Sequence, residues 1–147
     1  MHDAVALIST VIVVVILLAI IIWFVNQQRA KGRIDEMVKK RAGDAIIAHR
    51  ALYMEGRERL PVALALTPQS VFYENFDLEA RLDLDRIDEV EYDDETTTGL
   101  SQEGCKILRL RSHGQVFEFV ITKAEAEEWA EHLKTHHIDE PGAVTAT

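Results

Sequence analysis

The chain has 147 residues, a formal net charge of −9 and a single cysteine. Residues 42–138 hold twenty acidic and ten basic residues, and so acidic a body repels nucleic-acid phosphates, which argues against a nucleic-acid-binding protein. One cysteine excludes an intrachain disulfide and a cysteine-based metal cage, and the length of the body suits one small domain.

The first element is an apolar run from Ala4 to Val25 that contains no charged residue. As a helix it is about 33 Å long, which matches a bilayer hydrocarbon core of roughly 30 Å. A cleaved signal peptide is the alternative, but its apolar stretch is about 7 to 15 residues and it needs a basic start, which residues 1–3 lack. The predicted anchor includes Ala4, Leu7, Val14, Leu18, Ile22, Trp23, Phe24 and Val25, with Trp23 and Phe24 at headgroup level.

The segment after the anchor, residues 26–43, is a basic juxtamembrane linker. It contains six basic residues, Arg29, Lys31, Arg33, Lys39, Lys40 and Arg41, against two acids, which gives +4. Because such residues stay cytoplasmic, we predict residues 1–3 outside and the body inside, at the inner membrane. A second interpretation, left open, is that the six residues also bind anionic lipid headgroups, each contributing about 1 kcal/mol.

The linker has helical periodicity, and the body that follows has strand periodicity. Ile34, Met37 and Val38 indicate a short amphipathic helix that ends near residues 42–43 and either lies on the bilayer or continues the anchor. In the body, alternation is clearest where Leu78, Ala80, Leu82 and Leu84 are separated by charged residues. The predicted strands are residues 45–54, 61–67, 71–74, 78–84, 87–92, 105–111 and 115–121.

The last element is an amphipathic helix over residues 123–134. Thr122 and Glu125 have the spacing of a capping box, and an apolar stripe includes Trp129 and Leu133. A seven-stranded antiparallel sheet in so small a domain must bend over on itself, and we expect Trp129 and Leu133 to fill its open corner. The domain is assigned to residues 44–138, of the mainly β (α+β) class, and residues 139–147 are expected to be a disordered tail.

This arrangement resembles the PH-like superfamily, and within it the bacterial PH-like and GRAM-like domains tethered to membranes. The resemblance lies in residues 64–71, 82–90, 108–111 and 117–119 and in the Trp129 helix, over roughly two-thirds of the chain. It implies a seven-stranded bent sheet capped by a carboxy-terminal helix, and an interaction role. Members that bind phosphoinositides carry a basic cluster on the first hairpin, whereas this chain has Glu55, Arg57, Glu58 and Arg59 there.

No motif for catalysis, for a cofactor or for a metal is predicted. Cys105 opens a strand and is interpreted as a structural residue, and Glu91, Asp93, Asp94 and Glu95 as a solvated strand end. A metal site at His136, His137, Asp139 and Glu140 is also disfavoured, because these residues follow the last helical turn and precede the predicted tail. The function hypothesis is a non-enzymatic membrane-anchored scaffold that binds an unidentified protein on the cytoplasmic side. The alternative is a lipid-binding module that uses the basic linker.

Overall fold

The computed structural model describes residues 2–135, so the predicted tail and the residues from His136 onward lie outside the described part. A long helix, α1 (His2–Ala42), is followed by the strands and one short helix. The strands are β1 (Ile47–Glu55), β2 (Glu58–Leu66), β3 (Ser70–Glu74), β4 (Glu79–Asp83), β5 (Ile87–Asp93), β6 (Cys105–Ser112) and β7 (Gln115–Thr122). A single 3₁₀ turn (Leu84–Arg86) precedes β5, and α2 (Lys123–His132) follows β7.

By its contacts the chain divides into two compact units, Met1–Arg33 and Ile34–Thr147. The first unit holds the apolar part of α1. The second holds the end of α1, the sheet and α2. The sequence predicts that the folded domain starts at residue 44, and the contacts also group residues 34–43 with the second unit.

The seven strands form one curled antiparallel sheet in the order β4-β3-β2-β1-β7-β6-β5. Strand β1 pairs with β2 along its whole length but with β7 only over Leu52–Met54. The first part of β1 therefore separates from β7, and α2 begins at the end of β7 beside this gap. The predicted seven strands, closing helix and α+β class are confirmed.

The largest boundary difference is in β2, which begins at Glu58 rather than at the predicted Pro61. Gly56 has φ +63°, a conformation that a residue with a side chain rarely adopts, and it allows a two-residue turn. The hairpin therefore continues through charged residues that the sequence indicated as a break. Pro61 is tolerated within β2 because β3 pairs only with Ala63–Leu66, which leaves that side of Pro61 without a neighbouring strand.

The main hydrophobic core takes side chains from all seven strands and from α2. Trp129, Phe119, Leu64, Leu108 and Leu110 are completely buried in it. Tyr53 and Tyr73 pack with ring centroids 4.9 Å apart, and burial raises the pKa of Tyr73 to about 12. In the β6–β7 hairpin, Ile121 is also buried in this core and Phe117 is half-buried against it.

A second, smaller cluster lies on the opposite face of the sheet. Met54, Ile107 and Val120 are buried there, and Cys105, Leu52 and Leu100 pack against them. Leu100 belongs to the long connection between β5 and β6, residues 94–104, which folds back over this face. The sequence indicated a loop in this region but gave no sign that it covers the sheet.

Candidate functional site

The apolar part of α1 is exposed along its length. All eight predicted anchor residues are exposed, and Leu18 and Trp23 have relative exposures of 53% and 63%. The helix from Ala4 is long and apolar enough to cross a membrane, and none of its most apolar stretch is buried. Contiguous apolar surface of this size is characteristic of a segment that contacts lipid or another protein. It is therefore a candidate membrane span.

The six basic residues of the linker are not equivalent. Arg29, Lys31 and Arg33 are exposed in the first unit, and Lys39 and Lys40 are exposed in the second. Arg41, in contrast, donates from Nε and Nη2 to the two carboxylate oxygens of Glu74, both at 3.0 Å. It lies over the ring of Phe72, 4.4 Å from the centroid. The hydrogen bonds to Glu74 raise the pKa of Arg41, whose charge is balanced within the domain.

Two further contacts fix the end of α1 on the sheet. Ile34 is only 3% exposed. The two carboxylate oxygens of Asp35 accept hydrogen bonds from Nε and Nη2 of Arg50, which lowers the pKa of the Asp35 carboxyl. This bidentate pair is solvent-exposed and contributes little to stability.

The β1–β2 turn offers no enclosure for a lipid headgroup. Only Gly56 and Arg57 lie between the strands, and Glu55 is placed directly opposite Glu58. Arg57 and Arg59 are exposed and alternate with these acids. A turn of two residues is too short to wrap around a phosphate group. The turn therefore lacks both the length and the positive charge of the basic cluster in phosphoinositide-binding members.

Helix α2 is fastened over the gap between β1 and β7. Both hydrogen bonds of the Thr122–Glu125 capping box are present. Trp129 donates from Nε1 to His49 Nε2, which places the His49 proton on Nδ1, 2.8 Å from the Arg50 carbonyl oxygen. The Tyr92 hydroxyl donates to the Leu133 carbonyl oxygen at 2.6 Å, which ties the end of α2 to β5. Trp129 is completely buried, and Leu133 is half-buried against the core.

An acidic surface lies on the outer side of these two elements. Among the described residues, strand β5 is the last strand of the sheet. The exposed side of α2 carries Glu127, Glu128 and Glu131, and among the described residues none has a cation within salt-bridge distance. We call strand β5 (Ile87–Asp93) together with these three glutamates the β5–α2 surface. Its two parts are linked by the Tyr92–Leu133 hydrogen bond.

Arg109 is the centre of an ion cluster on the outer face of β5, β6 and β7. Its Nε donates to the buried Glu118 at 2.9 Å, and its Nη1 donates to Glu91 at 2.8 Å and Asp93 at 3.0 Å. Burial alone would lower the pKa of Arg109, but these hydrogen bonds raise it overall. The Asp94 amide, and then Arg109, lower the pKa of Asp93. Of the four carboxylates interpreted as a solvated strand end, Glu91 and Asp93 therefore bind Arg109, and Asp94 pairs with Lys106 at 2.7 Å.

The remaining polar features are a hollow beside the β2–β3 turn and Cys105. Within residues 2–135, no group of three His, Cys, Asp or Glu is placed to hold a metal ion. An open hollow of about 480 Å³ lies between the β2–β3 turn and the end of β4. Its lining contains two cations, Arg81 and Arg86, and two acids, Asp83 and Asp85, so these charges cancel. Cys105 is half-buried against the second cluster, as the sequence indicated.

Compared with protein-family models and with curated proteins, the chain matches neither a family nor a protein. We therefore infer its function from the fold, the charges and the contacts of this chain.

Proposed function

We propose that this protein is a non-enzymatic scaffold: a single-pass membrane protein whose PH-like domain binds a protein partner at the cytoplasmic face of the inner membrane. The sheet order and the helix that fills its gap support the PH-like assignment. The exposed apolar helix supports the anchor, and the five exposed basic residues beside it support the cytoplasmic orientation of the domain.

The observation that carries the partner proposal is the β5–α2 surface. An edge strand presents backbone N–H and C=O groups that an extended peptide can pair with, and such pairing is a common mode of peptide recognition. The exposed carboxylates of Glu127, Glu128 and Glu131, which have no cation within salt-bridge distance among the described residues, favour Lys or Arg in that peptide. We therefore propose an extended basic segment of another protein as the occupant. Tethering both to one membrane raises their effective concentration, so a weak contact suffices.

A lipid-binding module is the second candidate, and the exposure of Arg29, Lys31, Lys39 and Lys40 favours it. Two observations weigh against it as the main function. Arg41 is held by Glu74 inside the domain, and the β1–β2 turn is too short to enclose a headgroup. The acidic domain surface would also be repelled by anionic headgroups.

Photo-crosslinking in membranes tests the proposal. A photoreactive amino acid is placed at Asp88 on β5 of the full-length protein, and at Arg57 on the β1–β2 turn as the control position. We expect a protein adduct from position 88 and none from position 57. Changing Glu127, Glu128 and Glu131 together to lysine is expected to reduce the adduct at least about 10-fold, because the charge that attracts the basic segment is reversed.

A matched variant tests whether the loss of the adduct comes from this surface or from the change in net charge. Changing Glu55, Glu58 and Asp77 to lysine alters the charge equally at positions remote from β5 in the sheet, and it should leave the adduct intact. Adducts with lipid alone at position 88 would instead support the lipid-binding module. Equal adducts at positions 88 and 57 would remove the β5–α2 surface from consideration.

A further inference from the structure

The connection between β5 and β6 covers an apolar strip on the outer face of the sheet. The strip consists of Met54, Ile107 and Val120, and Leu100 from the connection packs against it. We call residues 94–104 the strap. Without the strap these apolar side chains would face solvent, because the main core lies on the opposite face of the same strands.

The strap has a shape of its own. The Thr96 amide donates to the Leu100 carbonyl at 2.9 Å, and the Leu100 amide donates back to Thr96 Oγ1 at 3.0 Å. The Gly99 amide donates to the Thr96 carbonyl at 2.9 Å, with Gly99 at φ +78°. Thr96 itself is 5% exposed. These bonds close inside residues 96–100 and do not depend on the sheet, so this part of the strap can move without losing them.

The strap is fastened to the sheet at a few points. Thr97 donates from its amide and its hydroxyl to the two carboxylate oxygens of Glu118, at 2.8 and 3.2 Å. Arg109 Nη2 donates to the Glu95 carbonyl at 2.8 Å. At the far end, the Gly104 carbonyl accepts from the first amide of α2, on Lys123, at 3.1 Å. That end stays attached when the middle of the strap leaves.

The buried Glu118 does not depend on the strap for its charge balance. Arg109 Nε donates to it at 2.9 Å, and both belong to neighbouring strands of the sheet. When Thr97 departs, Glu118 therefore keeps its cation, and no unpaired buried charge is created. The hydrogen bonds from Thr97 to Glu118 can therefore break while the Arg109–Glu118 ion pair remains.

We infer that the strap is a hinged cover, which opens as one body while the sheet stays folded and thereby exposes the Met54–Ile107–Val120 strip. The strap moves as one body because its hydrogen bonds close within residues 96–100. The open form contains no unpaired buried charge, because Glu118 stays paired with Arg109. The domain consequently presents its outer face in two forms, one polar and one apolar.

Amide hydrogen exchange of the full-length protein in detergent micelles, read by NMR, tests this inference. We expect the Thr97 amide, whose bond to Glu118 breaks on opening, to have a protection factor about 100-fold or more below that of the β6–β7 ladder. The Thr96, Gly99 and Leu100 amides, whose bonds lie inside the strap, should stay more protected than the Thr97 amide. In Thr97→Val, which loses the hydroxyl bond to Glu118, the protection of the residue 97 amide should fall about 10-fold while the ladder stays unchanged. Thr97→Ser keeps the hydroxyl and should behave as the wild type.

Two outcomes would overturn the inference. If strap and ladder amides have the same protection and Thr97→Val lowers both together, the strap opens only when the whole domain unfolds. If the Thr96, Gly99 and Leu100 amides exchange as fast as the Thr97 amide, the strap loses its internal hydrogen bonds on opening and does not move as one body.

Discussion

Replacing Trp129 by alanine is expected to lower the free energy of unfolding of the domain by about 4 kcal/mol, the largest effect of any single truncation we consider. The indole is completely buried, and its N–H is satisfied only because His49 lies beneath it on β1. Its removal leaves a cavity between α2 and the sheet and frees the His49 acceptor. Urea denaturation of the detergent-solubilised full chain, followed by tyrosine absorbance, measures the change, since all three tyrosines lie in the domain.

The chain supplies a matched control for this experiment. Trp23, the only other tryptophan, is exposed in the apolar part of α1. Trp23→Ala makes the same chemical change outside the folded domain, so we expect its effect on domain unfolding to stay within about 0.5 kcal/mol. A loss below about 1 kcal/mol for Trp129→Ala would show that α2 does not depend on this contact.

Replacing Arg109 by methionine is expected to cost about 3 kcal/mol, because it leaves the buried carboxylate of Glu118 without its cation. The substitution also removes the hydrogen bonds that Arg109 donates to Glu91, Asp93 and the Glu95 carbonyl. Changing Glu118 to leucine in the same chain should recover most of the stability, since no unpaired charge is then left. The same urea experiment measures both variants.

Arg111, two residues along β6, is the control for Arg109. It is about half exposed and pairs with Glu89 at 2.9 Å, and Arg111→Met should cost less than about 1 kcal/mol. Equal losses for both variants would contradict the central role of Arg109.

The lowered pKa of Asp93 adds stability that is present above about pH 4 and is lost as the pH falls through that lowered pKa. In Arg109→Met, the part of this acid sensitivity that comes from Arg109 should disappear.

The elements with local signals were predicted well from the sequence. The apolar run, the alternation over residues 78–84 and the Thr122–Glu125 spacing each depend on residues close in the chain. The turn between β6 and β7 also has a local cause, because His113 and Gly114 both have positive φ, which a tight two-residue hairpin requires.

The interactions that connect distant segments were missed, and the reason is physical. Arg41 and Glu74 are 33 residues apart, and charges on an exposed face look the same in a sequence whether they are paired or solvated. One missed pair could have been found: the predicted hairpin turn fixes the β6–β7 register, which places Arg109 opposite Glu118. No comparable signal places residues 94–104 over the outer face, because that contact depends on the shape of the completed sheet.

The central claim is that the apolar helix holds the acidic β domain at the cytoplasmic side of a bilayer, and protease protection tests it most directly. A carboxy-terminal epitope is followed in intact spheroplasts and after lysis, with alkaline extraction of the membranes in parallel. We predict that the full-length chain stays in the alkali-washed membranes and that its epitope is digested only after lysis. Release into the alkaline supernatant, or digestion of the epitope in intact spheroplasts, would contradict the claim.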